Sequence, residues 1–388
     1  MQTKILYYDD IKLLNFEATI ISYTKEKDGY HTILSQTAFY PESGGMSCDL
    51  GLIDNIKVTK VIKKNDEIIH ILEQEPTNTV VKGQVDAYTR HTNIQIHDAQ
   101  HLLTAIFEKD YDLMTVSHHV HGDYCDLVLA GEELTPEIMA AVEQKANQLI
   151  LENRKLDIFM VAKSELHKYN LEDNPKYSDP VRITNIETLD DFNACGCLHF
   201  DNVSQIQAVK CLSVEKTGKD YKLLFTAGLR MIAYFEVIND VFKELKFITK
   251  ANEDTLVEKT QGLIDKGIAL TKELNDFKTK YYQMELAAIV AKSTDNFIYY
   301  QQPDNNFEDL KIMANAIINS EQPLKGLLQI KKDDKYQFIL VKQKDLTYPL
   351  EELFARLKNE LKINGGGKGL MITGQAEQDL SEVIKQYL

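Results

Sequence analysis

Two short segments of the chain carry side chains of the types that bind metal ions. In the segment HDAQH, His97 and His101 are four residues apart, so on a helix their imidazoles lie about one turn apart on one face. Cys195 and His199 repeat this spacing in the segment CGCLH, far along the chain. Zinc accepts thiolate and imidazole ligands in tetrahedral sites, and two such pairs supply four ligands. The pattern predicts one zinc ion per chain.

Each segment also allows other interpretations. Cys197 lies between Cys195 and His199, so either sulfur could be the ligand. A histidine pair on an amphipathic helix is often held by hydrogen bonds alone, and the two cysteines could be unrelated thiols. A zinc peptidase of the His-Glu-x-x-His type needs a glutamate directly after the first histidine. Asp98 occupies that position and no third ligand follows at the metzincin spacing, which argues against this class.

A third feature is the glycine-containing segment QTAFYPESGGMSCDLG, residues 36–51. It predicts a short strand from Thr37 to Tyr40, a proline turn, and a tight turn at Gly44 and Gly45. Paired glycines let a ligand approach the backbone closely, so both are candidates for substrate binding.

The elements that must position these residues define an α+β protein. Residues 1–90 read as short alternating strands, for which a small antiparallel β-barrel removes the exposed edges. The apolar period becomes helical from Thr92, and a second helix follows with Thr135 as N-cap and Pro136 at its first position. We expect residues 91–240 to form an α+β domain that contains the metal ligands.

The remaining part of the chain divides into a helical segment, residues 241–292, and a last α/β domain, residues 293–388. In the helical segment, apolar side chains recur every seventh residue at Leu256, Leu263, Leu270, Phe277 and Met284. This spacing predicts either a coiled coil, as in a homodimer, or a helix packed on its own domain.

Composition limits the location and the partners of the protein. Hydrophobic residues make up 44% and no apolar stretch is long enough to span a bilayer, so we expect no membrane association and no signal peptide. Five cysteines, an odd number, fit a reducing cytoplasm. The net charge of −15 argues against a nucleic-acid partner, although a local basic patch can lie on an acidic body. Such a cluster occurs at Lys331, Lys332, Lys335, Lys342 and Lys344.

Taken together, these motifs resemble the editing domain of alanyl-tRNA synthetase and its free-standing relatives, the AlaX proteins. The resemblance covers Thr37 to Gly51, the two metal segments and a later AGLRM segment. The threonyl-tRNA synthetase editing domain shares the metal segments, but the glycine segment favours the alanyl type. The terminal NGGGKGLMITGQAE resembles the end of the DHH-associated domain of the long AlaX form. No Asp-His-His triplet occurs, so a DHH phosphoesterase is not indicated.

The resemblance implies roles for individual residues. Zinc ligands are implied at His97, His101, Cys195 and His199. Thr37 is implied to read the side chain of the misattached amino acid, because a hydroxyl there can pair with a seryl hydroxyl. Thr37 to Gly45 match the family pattern Thr-x-Phe-Tyr-Pro-x-x-Gly-Gly, whereas Met46, Cys197 and His91 depart from it.

Two further assignments are made from residue types. The candidates for a general base are Asp98 and the cluster His118, His119 and His121, of which we favour His119. In the last domain, Gly365, Gly366 and Gly367 would let backbone amides approach tRNA phosphates, with Lys368 as a neighbouring charge.

The expected activity is hydrolysis of the aminoacyl ester at the 3′ end of mischarged tRNA(Ala), most simply seryl- or glycyl-tRNA(Ala). The amino-acid activating domain is missing, so this editing would occur in trans. The alternatives are a zinc-stabilised RNA-binding module without catalysis and a general metal-dependent esterase.

Overall fold

The structure, a computed structural model, describes residues 3–175, 177–293, 295–301, 306–361 and 363–384. The chain divides into two compact units, Met1–Glu244 and Leu245–Leu388. Helices and largely antiparallel sheets are both present, which confirms the predicted α+β class. No described helix combines the length and apolar character that a bilayer crossing requires.

The N-terminal part of the first unit is a closed six-stranded barrel, as the alternating pattern predicts. Its strands follow the order β2-β3-β7-β6-β5-β8, and each neighbouring pair is antiparallel. Closure leaves no strand edge unpaired. Two further short strands, β1 and β4, pair in parallel beside it. The strands are β1 Lys4–Ile5, β2 Asn15–Glu26, β3 Gly29–Leu34, β4 Gln36–Thr37, β5 Gly51–Ile53, β6 Ile56–Lys64, β7 Glu67–Leu72 and β8 Val80–Val85.

The rest of the first unit contains two sheets and two long helices. A third helix, α3, begins in this unit. One sheet has the order β14-β15-β10-β9, and the other has the order β11-β12-β13. The elements are α1 Ala87–Tyr111, β9 Met114–His121, β10 Tyr124–Ala130, α2 Pro136–Leu151, β11 Leu156–Val161, β12 Val181–Ile186, β13 Asn193–Ala194, β14 Val209–Thr217, β15 Asp220–Ala227 and α3 Leu229–Thr249.

Helix α1 belongs to two apolar cores at once, which fixes its position. Ile94 packs into the barrel core, whereas Leu103 packs with α2 and the four-stranded sheet. The helix begins at Ala87, five residues before the position expected from periodicity, because Asp86 accepts a hydrogen bond from Thr89 N at 2.7 Å as an N-cap. As predicted, Thr135 caps α2, accepting from Ile138 N.

The second unit has a five-stranded sheet of order β16-β17-β18-β20-β19 with an apolar cluster on each face. Leu328 and Ile339 belong to one cluster, and Leu327 and Phe338 to the other. The elements are α4 Leu256–Val290, β16 Phe297–Gln301, α5 Phe307–Ile318, β17 Lys325–Lys332, β18 Lys335–Lys342, α6 Leu350–Glu360, β19 Ile363–Lys368, β20 Met371–Ala376 and α7 Ser381–Ile384.

The predicted helical segment is two helices rather than one. Helix α3 ends at Thr249, and Lys250 takes a left-handed conformation (φ 51°) before α4 begins at Leu256. Along α4, the side chains of Leu263, Leu270 and Phe277 are exposed, so the seven-residue stripe is only partly covered by its own unit.

Candidate metal centre and substrate pockets

The structure brings the four sequence-predicted metal ligands into one group. One ligand atom from each of His97, His101, Cys195 and His199 lies within 4.8 Å of the others. His97 Nε2 is 3.3 Å from Cys195 Sγ, although the two residues are 98 positions apart. Burial lowers the pKa of His97 and of His199 to about 3, so both imidazoles are neutral, the form that binds a metal.

Asp98, a candidate general base from the sequence, instead orients a ligand. Its Oδ1 lies 2.6 Å from His199 Nδ1, and its Oδ2 accepts a hydrogen bond from Phe200 N at 3.0 Å. Burial raises the pKa of the Asp98 carboxyl. In the ionised form Oδ1 can only accept, so Nδ1 then carries the imidazole proton and Nε2 keeps its lone pair. His199 Nε2 is buried and has no hydrogen-bond partner among the described residues. A metal ion would satisfy this atom, and a carboxylate behind a histidine ligand is the usual support for one.

The loop that carries Cys195 is held by two side chains that sequence reasoning did not identify. Arg182 Nη1 donates to Cys195 O at 3.0 Å and to Cys197 O at 2.6 Å. Tyr8 donates its hydroxyl proton to Gly196 O at 2.5 Å, and the Arg182 guanidinium lies 5.4 Å from the centre of the Tyr8 ring. A single arginine in a strand gives no sequence signal for this role, because its partners are distant in the chain.

The geometry distinguishes the two cysteines. Cys197 Sγ lies 3.5 Å from the carbonyl oxygens of Ser43 and Gly44, to which it donates, so it faces the glycine turn. The Cys197 backbone N–H donates to Cys195 Sγ at 3.5 Å. The group of four contains Cys195 and not Cys197.

The glycine turn packs against Cys197 on one side and His118 on the other. Gly44 and Gly45 have left-handed φ values of 58° and 79°. A Cβ at Gly44 would lie 2.7 Å from Cys197 Sγ, and a Cβ at Gly45 would overlap with the imidazole of His118. Both the backbone conformation and the contacts therefore require glycine here.

Adjacent histidines on β9 face opposite ways. His118 is half-buried against the glycine turn, its ring centre lies 6.4 Å from that of His97, and burial lowers its pKa. His119, the favoured catalytic candidate, is 63% exposed, with Nδ1 3.2 Å from Asp126 Oδ2. His121 contacts the other oxygen of Asp126. Alternation along the strand separates His118 from the other two.

Thr37 lies in the protein interior and is not among the described residues that line either pocket defined below. Its Oγ1 accepts a hydrogen bond from Phe39 N at 3.0 Å and lies 2.8 Å from His70 Nε2. His70 Nδ1 donates to Thr32 O, so Nε2 must accept the Thr37 hydroxyl proton. Burial lowers the pKa of His70 to about 4, which keeps this imidazole neutral.

Two cavities share Ser43, and one of them reaches the metal centre at Cys195. The glycine pocket, about 380 Å³, borders the turn that contacts Cys197. The aromatic pocket, about 630 Å³, borders Cys195 itself. The glycine pocket is lined by Glu42, Ser43, Gly44, Gly45, Met46, Ser47, His118, His119 and Val120. The aromatic pocket is lined by Tyr8, Ser43, Lys63, Ile158, Phe159, Met160, Tyr177, Ser178, Val181, Arg182, Ala194, Cys195 and Gly196.

The glycine run of the second unit lies in a strand rather than in a turn. Gly365, Gly366 and Gly367 belong to β19, which is at one edge of the sheet and pairs with β20. All three are exposed, and a Cβ at Gly366 would have no heavy atom within 4 Å. Lys368 ends the same strand and is also exposed.

Comparisons with known proteins agree with the resemblance seen in the sequence. The chain is 25% identical to the alanyl-tRNA editing protein AlaX-L of Pyrococcus horikoshii, covering 98% of this chain and 96% of that protein. It is 28% identical to the alanyl-tRNA editing protein Aarsd1 of Rattus norvegicus, covering 90% and 85%. An alanine–tRNA ligase of Thermofilum pendens is 28% identical over 71% of this chain, which spans 32% of the ligase.

Two other comparisons add little. No family model matches the chain. The solved C-Ala domain from Aquifex aeolicus alanyl-tRNA synthetase covers 24% of this chain and 85% of that structure, at 18% identity and a TM-score of 0.21, which carries no weight for the fold. Along nearly its whole length, the chain resembles the AlaX-type alanyl-tRNA editing proteins, and over part of its length the alanine–tRNA ligases.

Proposed function

We propose that this protein is an aminoacyl-tRNA deacylase that acts in trans on mischarged tRNA(Ala), with seryl- or glycyl-tRNA(Ala) as its substrate. The observation that carries the proposal is the group of His97, His101, Cys195 and His199, with one cavity at Cys195 and a second cavity at the neighbouring glycine turn. An ester joins two dissimilar groups, and two cavities beside one reactive centre suit such a molecule. Similarity to alanyl-tRNA editing proteins over nearly the whole chain supports it.

The reaction is the addition of water to the ester carbonyl. The water oxygen bonds to the carbonyl carbon, the bond from this carbon to the ribose oxygen breaks, and the ribose oxygen receives a proton. The products are the free amino acid and a tRNA with an intact 3′ end. A zinc ion held by the three imidazoles and the Cys195 thiolate would have four protein ligands, the set of a closed, structural site, and would then hold the two segments together. It would supply a Lewis acid to the ester only by accepting a further ligand.

Two histidines are candidates for handling the proton. His119 pairs with Asp126, which would hold its imidazole in one orientation and stabilise the protonated form. His118 is the second candidate, because it borders the glycine pocket beside His97 and its Nε2 has no hydrogen-bond partner among the described residues. Comparing His118→Ala with His119→Ala distinguishes the two candidates. Removal of the residue that acts as the base should lower kcat roughly 100-fold or more.

The substrate amino acid would lie in the glycine pocket, against Gly44 and Gly45. The Thr37 hydroxyl would influence its recognition from below the turn, through the backbone of the Phe39 to Gly45 segment. Glu42 is the acidic side chain of this pocket, and its carboxylate would exchange its exposed ion pair with Lys60 for the α-ammonium group of an aminoacyl ester.

The second unit would contact the tRNA body through the exposed edge formed by Gly365, Gly366, Gly367 and Lys368. Gly366→Glu adds a carboxylate to this edge without a steric conflict and should weaken tRNA affinity roughly fivefold. Gly262→Glu is the matched control, because a Cβ there also has open space. Equal affinity of the two variants would contradict the contact.

The decisive experiment is deacylation of seryl-, glycyl- and alanyl-tRNA(Ala) by the purified protein. We expect hydrolysis of the seryl or glycyl form with alanyl-tRNA(Ala) left intact. Binding of tRNA with no turnover of any of the three would contradict the proposal and leave a zinc-stabilised RNA-binding module. If simple amino-acid esters were hydrolysed as fast as aminoacyl-tRNA, the protein would be a general esterase. Such a substrate and the free thiols of all five cysteines fit a cytoplasmic location.

A further inference from the structure

We propose that the aromatic pocket binds the 3′-terminal nucleotide of the aminoacyl-tRNA, so that the ester crosses the metal centre with its amino acid in the glycine pocket. This assignment rests on the proposed function. It concerns which cavity receives which half of the substrate.

The two cavities differ in the charge of their side chains. In a chain of net charge −15, the aromatic pocket has two cationic side chains, Lys63 and Arg182, and none of the described residues that line it is acidic. Lys63 also forms an exposed ion pair with Asp66, at 3.2 Å, and such a surface pair contributes little. The charged side chain of the glycine pocket, apart from its histidines, is the carboxylate of Glu42, which forms an exposed ion pair with Lys60 at 2.7 Å. A nucleotide is anionic and an aminoacyl group is cationic, so the two cavities match the two halves of the substrate in only one orientation.

The walls of the aromatic pocket suit a nucleotide in both size and chemistry. The aromatic pocket is the larger of the two and has three aromatic rings, Tyr8, Phe159 and Tyr177. Aromatic rings that stack on bases, combined with cations that contact the backbone, are how proteins bind single-stranded nucleic acid.

Two side chains connect the aromatic pocket directly to the loop that carries Cys195. Tyr8 and Arg182 both bond to the backbone between Cys195 and Cys197. Arg182 uses Nη1 for these bonds, and its Nε and Nη2 have no hydrogen-bond partner among the described residues. Those two nitrogens present the paired donors that match a phosphate. A nucleotide held here would therefore have its ribose hydroxyls next to the Cys195 loop.

The neighbouring lysines Lys63 and Lys64 allow a matched test. Both are exposed on strand β6, but only Lys63 is among the residues that line the pocket. The probe is a 5′-phosphorylated CCA trinucleotide, whose binding to the full-length protein is measured by equilibrium dialysis at several salt concentrations. We expect Lys63→Ala to weaken binding roughly fivefold and to reduce the slope of log K against log[salt] by about 0.7, with Lys64→Ala close to wild type.

Substitutions of Tyr177 test whether a base stacks on the aromatic rings of the pocket. Tyr177→Ala should weaken trinucleotide binding by about tenfold, and Tyr177→Phe, which keeps the ring, should restore it to within about twofold. Identical binding by the Lys63 and Lys64 variants, or equal loss in Tyr177→Ala and Tyr177→Phe, would overturn the assignment.

Binding of the trinucleotide does not require turnover, so the two proposals fail separately. Binding that depends on Lys63, with no deacylation of any aminoacyl-tRNA, would reject the proposed function and keep the nucleotide pocket. Deacylation with an unchanged KM in both Lys63→Ala and Tyr177→Ala would keep the function and reject the pocket.

Discussion

Asp98 Oδ1 lies 2.6 Å from His199 Nδ1, across 101 positions of sequence, and both side chains are fully buried. This contact fixes the His199 tautomer and directs Nε2 toward the other three ligands. The flanking residues Leu198 and Phe200 pack into the barrel core, which fixes the backbone on either side of His199. The metal centre is therefore supported by the barrel core as well as by helix α1.

Asp98→Asn should lower zinc affinity by about 10- to 100-fold, because an amide cannot accept from both His199 Nδ1 and Phe200 N. Zinc retention against a chelator measures this directly. Asp126→Asn is the control, since Asp126 also contacts two histidines but lies outside the group of four. Equal zinc loss in the two variants would contradict a specific role for Asp98.

Gly45→Ala should destabilise the folded state by about 1–3 kcal/mol and lower deacylation, because its φ is left-handed and the new methyl group overlaps with His118. Gly122→Ala, where a Cβ meets no atom within 4 Å, should be close to wild type. Adding His118→Ala to Gly45→Ala removes the overlap and should restore part of the stability measured by denaturant unfolding. No recovery in the double variant would show that the overlap is not the cause.

Thr37→Val should cost about 1–3 kcal/mol of folding free energy, because the imidazole Nε2 of His70 and the backbone N–H of Phe39 both lose their partner. If the hydroxyl also influences substrate choice, the preference for seryl- over alanyl-tRNA falls in the same variant. Thr37→Ser keeps the hydroxyl and should keep both properties. A stable Thr37→Val protein with unchanged relative rates would remove both roles.

His70 gives the barrel a dependence on pH. Its pKa is about 4 in the folded state against an ordinary value near 6.5, so the folded state favours the neutral imidazole. As the pH falls, His70 is protonated in the unfolded chain before it is protonated in the folded protein. The free energy of unfolding is therefore highest above pH 6.5 and decreases by about 3 kcal/mol as the pH falls toward 4. We expect His70→Gln to be less stable than wild type at pH 7 and this gap to narrow by pH 4.5. His167→Gln is the surface control, and a gap that stays constant with pH would contradict the assignment.

The exposed stripe on α4 should mediate association with a second copy of the chain, because a seven-residue apolar repeat is complementary to itself. Phe277→Glu places a charge within the stripe and should convert a dimer to a monomer by sedimentation analysis. Val257→Glu adds the same charge at an exposed position outside the repeat and should leave the dimer intact. A wild-type protein that is monomeric at all concentrations would exclude this association.

The sequence by itself determined the features that depend on local spacing. The four-residue spacing of His97 and His101 places them on one face of α1, and period-two alternation produces the barrel strands. The glycines of the turn at Gly44 and Gly45 were also visible, because left-handed backbone needs glycine. These properties depend on residues that are neighbours along the chain.

Only the tertiary structure decided which cysteine joins the group of four, that Asp98 supports His199, and that His118 rather than His119 faces the glycine turn. Alternation shows that these two histidines point in opposite directions, but which of them points inward depends on how β9 packs against the rest of the fold. The interior position of Thr37 likewise depends on His70, which is 33 residues away. Such contacts form only when the barrel closes and α1 packs between two cores, so no local pattern encodes them.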